Sequence, residues 1–134
     1  MPHLVILYTG NLKREINMSS LCRALATEMM ALCDESGAPV FPTGGTRVLA
    51  YPAEHYAVAD GREDYGFVYL NLRMGAGRSS AIKQLAGDAL SAIVRAQFAT
   101  ILATRFVGIT LQIDESPGQV YDAKLGNLHP LFTR

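Results

Sequence analysis

The chain has 134 residues, with twelve lysines and arginines against twelve aspartates and glutamates, so its formal net charge is zero. That balance excludes a molecule-wide basic footprint for nucleic acid, and no apolar run approaches the roughly 20 residues of a membrane span. At 49% hydrophobic and 18% charged, the chain reads as one well-cored domain that needs no disulfide or metal staple.

The predicted elements alternate between strand and helix. Residues 3–9 (HLVILYT) form a short β-branched and apolar run that ends at Gly10-Asn11, a buried strand and its turn. The residues ahead of it lack a basic region and a long apolar run, which predicts a cytoplasmic protein. A helix capped near Asn17 or Ser19 follows, with Leu21, Cys22, Leu25, Met29, Leu32 and Cys33 at three- and four-residue spacing, stopping before Gly37. Its two cysteines would lie about 16 Å apart along the helix axis, beyond disulfide reach, and are expected as small buried hydrophobes. After a loop punctuated by Pro39, Pro42, Gly44 and Gly45, residues 46–51 return as a strand, with residues 55–59 extending or pairing with it.

The second half repeats the plan. Residues 65–73 form a strand and Gly75-Ala76-Gly77-Arg78-Ser79 a turn. Ser79 or Ser80 caps a long helix with Ile82, Leu85, Ala86, Ala89, Leu90, Ile93, Val94, Ile101 and Leu102 on its apolar face, and residues 106–114 are a strand. The expectation is an α+β domain spanning 1–134, with an internal pseudo-repeat over approximately 2–60 and 64–115 and an irregular tail over 116–134. Two β-α-β units give a four-stranded mixed sheet with two helices on one face. Because the strands read as apolar on both sides, the second face needs a cover, and self-association supplies one.

Three residues stand out as candidates for chemistry. Excision of the initiator methionine ahead of Pro2 would leave a secondary amine, and an α-amino group titrates near 8, within reach of general-base work at neutral pH. A strand starting directly behind it would hold the terminus in place. Arg78 sits in a glycine-rich turn before a helix, where N–H groups and a guanidinium together suit a carboxylate or phosphate; an ordinary capped turn fits that pattern equally well. Arg47 follows the loop 41–46 and could supply the other end of a dianion clamp, although alone it reads as a solvated arginine at a strand edge. His3, His55 and His129 have no metal-ligand spacing. Glu63-Asp64 and Asp114-Glu115 read as solvated pairs at strand ends.

Taken in order, the segments Met1-Pro2-His3, Phe41 to Arg47, Ala59-Asp60-Gly61, Asp64 to Val68, Gly75 to Ser79 and Lys124 to Phe132 resemble the 5-carboxymethyl-2-hydroxymuconate isomerase family of the tautomerase superfamily over nearly the whole chain. The resemblance implies a homotrimer and a cofactor-independent keto-enol tautomerase in the bacterial breakdown of homoprotocatechuate. It implies Pro2 as the catalytic base and acid, and Arg47 and Arg78 as the residues that bind carboxylates of a dicarboxylate or tricarboxylate dienol. The first half carries Gly10-Asn11-Leu12 where the second has its Gly-Arg-Ser turn, so one active site per chain is expected. Two other readings fit the same residues: a tautomerase of a related 2-hydroxymuconate or 2-oxo acid, and a non-catalytic carboxylate-binding homotrimer whose Pro2 is blocked by a retained Met1.

Overall fold

The computed structural model describes residues 2–132. Its strands are β1 (His3–Thr9), β2 (Arg47–Ala53), β3 (Gly66–Gly75) and β4 (Val107–Ser116), and its helices α1 (Met18–Ala31), α2 (Ser80–Gln97) and α3 (Ala99–Thr104). Short 3-10 turns occupy Gly10–Leu12, Thr43–Gly45 and His129–Phe132. The sheet order is β2-β1-β3-β4. Each outer strand runs parallel to its inner neighbour, and the two inner strands are antiparallel. Each parallel pair is closed by a helical crossover, as parallel neighbours require.

The core follows from alternation on the strands meeting four-residue repeats on the helices. Leu4, Ile6 and Tyr8 of β1 and Val68, Leu70, Leu72 and Met74 of β3 are buried on one face. Against them pack Leu21, Leu25 and Met29 of α1 and Ala86, Leu90 and Val94 of α2. Both helices start on side-chain caps: Asn17 accepts from the Ser20 amide, and Ser79 accepts from the Ile82 amide. These bonds satisfy amides that a helix start would otherwise leave without an acceptor.

Four local expectations need correction. Helix α1 ends at Ala31, and Leu32 is already extended. Cys33 is exposed and lies beyond the helix, in an isolated bridge to Pro39; Cys22, half-buried, is the cysteine near the core. Residues 55–59 add nothing to β2 and run irregularly. The second long helix is broken at Phe98, whose ψ of 5° leaves the helical range while its side chain is fully buried. Finally, the second sheet face is apolar only in part. Leu7, Leu49 and Tyr51 are 47%, 45% and 50% exposed there. On the β3–β4 side, Tyr69 donates to Gln112 at 2.9 Å and Asn71 donates to Asp114 at 2.7 Å.

Candidate active site

The candidate residues gather at one end of the sheet, where β1 and β2 begin and β3 ends. Pro2 is buried immediately ahead of β1. The next residue, His3, is paired in register with Arg47 on β2 and with Arg73 on β3. Pro2 therefore lies one residue step from two arginines on strands about 4.8 Å to either side. Paired residues share a face, so the side chains of His3, Arg47 and Arg73 belong to the face opposite the helices.

Arg47 is half-buried, and its Nη1 donates to the Gly45 carbonyl at 3.4 Å. Its charge reaches the start of β1. The His3 imidazole is held below its ordinary value of 6.5, first by burial and then by the Arg47 guanidinium, which disfavours a second positive charge.

Arg78 is committed differently. Its Nε and Nη2 donate to the Val40 carbonyl at 3.3 and 3.1 Å, and its Nη1 donates to the Gly75 carbonyl at 3.4 Å. The guanidinium carbon lies 5.0 Å from the centre of the fully buried Phe41 ring. Three of the five N–H groups of an arginine are thus engaged in tying the segment before β2 to the turn after β3. Gly77 permits that turn with a φ of +119°, a conformation L side chains rarely adopt. Arg78 keeps two donors for a ligand, on the helix side of the sheet end, whereas Arg47 stands on the other side.

Arg73 is a residue at this end of the sheet that the sequence does not single out. Alone it looks like any exposed arginine near a strand end. The signal was its place between Leu72 and Met74, which puts it on the face opposite the core, but only the register sets it beside His3. A cleft of about 550 Å³ opens there, lined by His3, Arg73, Gly75, Ser116, Gln119 and Lys124 among others. A larger hollow of about 860 Å³ lies between α1 and β2 under the C-terminal segment, lined by Met18, Cys22, Arg23, Val48, Leu128 and Phe132 among others. None of Pro2, Arg47, Arg73 and Arg78 lines it; of these four Arg73 alone lines the smaller cleft, which also takes in His3, the residue after Pro2. Among the described residues no three of His, Cys, Asp and Glu are grouped to hold a metal ion, and no helix is long and apolar enough to cross a membrane.

Comparison with known proteins finds matches over nearly the whole chain. A family profile for 5-carboxymethyl-2-hydroxymuconate isomerase matches residues 2–132. A 5-carboxymethyl-2-hydroxymuconate Delta-isomerase of Escherichia coli is 28% identical over 132 residues, covering 98% of this chain and 99% of the relative. A crystal structure of a 5-carboxymethyl-2-hydroxymuconate delta-isomerase superposes with a TM-score of 0.94 at 55% identity, covering 100% of this chain and 94% of that one. A 5-carboxymethyl-2-hydroxymuconate isomerase from Deinococcus radiodurans R1 gives 0.86 at 35% identity, covering 99% and 95%. With its tautomerase-superfamily fold and a match that leaves only the chain ends outside, the chain belongs to the 5-carboxymethyl-2-hydroxymuconate isomerase family and is an isomerase.

Proposed function

We propose that this protein is a cytoplasmic, cofactor-independent tautomerase that converts 5-carboxymethyl-2-hydroxymuconate to its conjugated 2-oxo isomer in homoprotocatechuate degradation. The observation that carries the reading is Pro2, buried at the head of a central strand with Arg47 and Arg73 one register step away on its two neighbours. With Met1 removed, the Pro2 nitrogen is a secondary amine. Burial and the Arg47 charge, which both lower His3, act in the same direction on that amine and favour its neutral, basic form.

The reaction is then a proton relay. Neutral Pro2 takes the proton from the 2-hydroxyl; the oxygen lone pair forms the C2 carbonyl, and the diene electrons move to C5. The Pro2 ammonium delivers its proton to C5 and returns to the neutral base. Nothing is oxidised or reduced, so atoms and electrons balance without a cofactor. Arg47 and the remaining donors of Arg78 hold substrate carboxylates and stabilise the negative charge that develops on the 2-oxygen.

The assembly belongs to the same reading. The half-exposed Leu7, Leu49 and Tyr51 need a cover, and a homotrimer in which three sheets pack together provides it.

The test is turnover of the dienol by protein with a free Pro2. Correctly processed Pro2→Ala is expected to lose about 100-fold or more in kcat, the range of a general acid–base contribution, while remaining folded and assembled. Unchanged kcat would reject Pro2 as the base.

A further inference from the structure

We infer that Arg73, at the mouth of the cleft beside His3, binds a second carboxylate of the substrate, remote from the reacting enol, and so sets the preference for polycarboxylates. This rests on the tautomerase reading above and extends it to a residue that neither the sequence motifs nor the family resemblance singled out.

Three observations carry the assignment. The first is the state of Arg73 itself: it is exposed, and among the described residues it makes no hydrogen bond or ion pair. Its register partner on β4, Asp114, would be the natural counter-ion, yet that carboxylate accepts from Asn71 instead, at 2.7 Å. Arg47 and Arg78, by contrast, are both bonded to backbone carbonyls. Arg73 therefore offers a complete guanidinium fork, the geometry that takes a carboxylate through two parallel bonds.

The second observation is the container. The cleft of about 550 Å³ falls within the few hundred to one thousand Å³ typical of small-molecule sites. It is floored by the end of β3 and walled by the segment after β4, which brings Lys124 and Asp122 to its rim. Lys124 and Asp122 form an ion pair with each other, so their charges cancel locally and among the lining residues Arg73 supplies the excess positive charge, with the Asp114 carboxylate across from it on β4 outside the lining. A neutral His3 adds none.

The third is position. His3 lines the cleft and directly follows Pro2. A substrate with its reacting end at the Pro2 nitrogen would extend along this end of the sheet, and its far carboxylate would meet Arg73. A monocarboxylate enol has nothing to place there, so the side chain discriminates by the presence of a second anion, not by the reaction.

The experiment has a binding arm and a kinetic arm, both on processed, full-length protein. In the binding arm, trans-aconitate, an unsaturated tricarboxylate, is titrated against 15N-labelled protein. The Arg73 Nε–H resonance is expected to shift, and Arg73→Gln to weaken the affinity about tenfold or more, the loss expected for one charged hydrogen-bonding partner. Arg73→Lys, which keeps the charge without the fork, should recover part of it. In the kinetic arm, kcat/KM is compared for 5-carboxymethyl-2-hydroxymuconate and for the enol of phenylpyruvate, a monocarboxylate. Arg73→Gln is expected to lower the ratio of the two values about tenfold.

Equal losses on both substrates, or an unchanged ratio with unchanged trans-aconitate affinity, would overturn the assignment. Wild-type protein that turns over neither substrate, yet loses trans-aconitate affinity on Arg73→Gln, would refute the proposed tautomerase reading and leave the anion site standing.

Discussion

At the scale of single residues, the proposed function turns on how charge is placed around one backbone nitrogen. Pro2 is buried, and the nearest titratable reporter of its surroundings is His3. Because burial and the Arg47 charge lower the folded value of His3 below 6.5, the unfolded chain binds that proton more readily. The associated stability is fully present above about pH 6.5 and is lost as pH falls through the lowered folded value. An NMR titration should find His3 below 6.5, and Arg47→Gln should move it part of the way back, since burial remains. A His3 that titrates identically in both proteins would remove Arg47 from the electrostatics of the site. Pro2 could be nominated from the sequence by its place ahead of a strand, and Arg47 by the family resemblance of the loop before it. Arg73 could not, because its relevance lies in which residues stand across from it, and that information is in strand register alone. Arg78 shows the opposite limit: the Gly-Arg-Ser turn was visible, but its commitment to the Val40 carbonyl depends on a loop 38 residues away in sequence.

At the scale of elements, local patterns were reliable where they coincided with packing. The two caps, Asn17 and Ser79, and the buried Leu21–Leu25–Met29 and Ala86–Leu90–Val94 repeats follow from short-range rules. The break at Phe98 did not, since neither proline nor glycine marks it; the residue there is a fully buried aromatic. Cys33 was misplaced for a related reason: the apolar spacing continues past Ala31, but the chain leaves the helix to bridge with Pro39. The C-terminal segment depends on a close approach. A Cβ at Gly44 would come within 2.8 Å of His129 Nδ1 and 3.0 Å of the His129 Cα, closer than packing tolerates. Gly44→Ala is therefore expected to loosen the His129–Phe132 turn and raise amide exchange at Leu131, which donates to the Leu128 carbonyl, about tenfold or more, the effect of a modest overpacking penalty. Unchanged exchange at Leu131 would show that the turn does not rest on Gly44.

At the scale of the whole molecule, the zero net charge conceals a local asymmetry. Arg47, Arg73 and Arg78 all fall at one end of the sheet, where Asp114 accepts from Asn71, Glu115 pairs with Lys83 and Asp122 pairs with Lys124. The apolar share is asymmetric as well. It fills the helix-facing core and continues onto β1 and β2 of the open face, where polar pairs then take over on β3 and β4. A trimer covering that face should sediment at about three times 14.5 kDa, and Leu7→Asp, which sets a charge in the centre of the apolar patch, should shift it to monomer. A wild-type protein that sediments as a monomer at micromolar concentration would contradict the assembly. The mixed sheet and its two helical crossovers were legible in the sequence, since strand–helix alternation allows few arrangements. Which part of the second face is apolar was not, because that depends on which strands lie at the edges.

The most direct test of the central claim compares two forms that differ only at the chain start: protein processed to a free Pro2 and protein that retains Met1, with intact mass establishing which is present. In the retained form the Pro2 nitrogen is an amide and cannot take up a proton. The dienol of 5-carboxymethyl-2-hydroxymuconate should be converted by the processed form, and the retained form should lose about 100-fold or more of that rate. Equal turnover by both forms would contradict the account, because the proton would then have to move through a group other than Pro2.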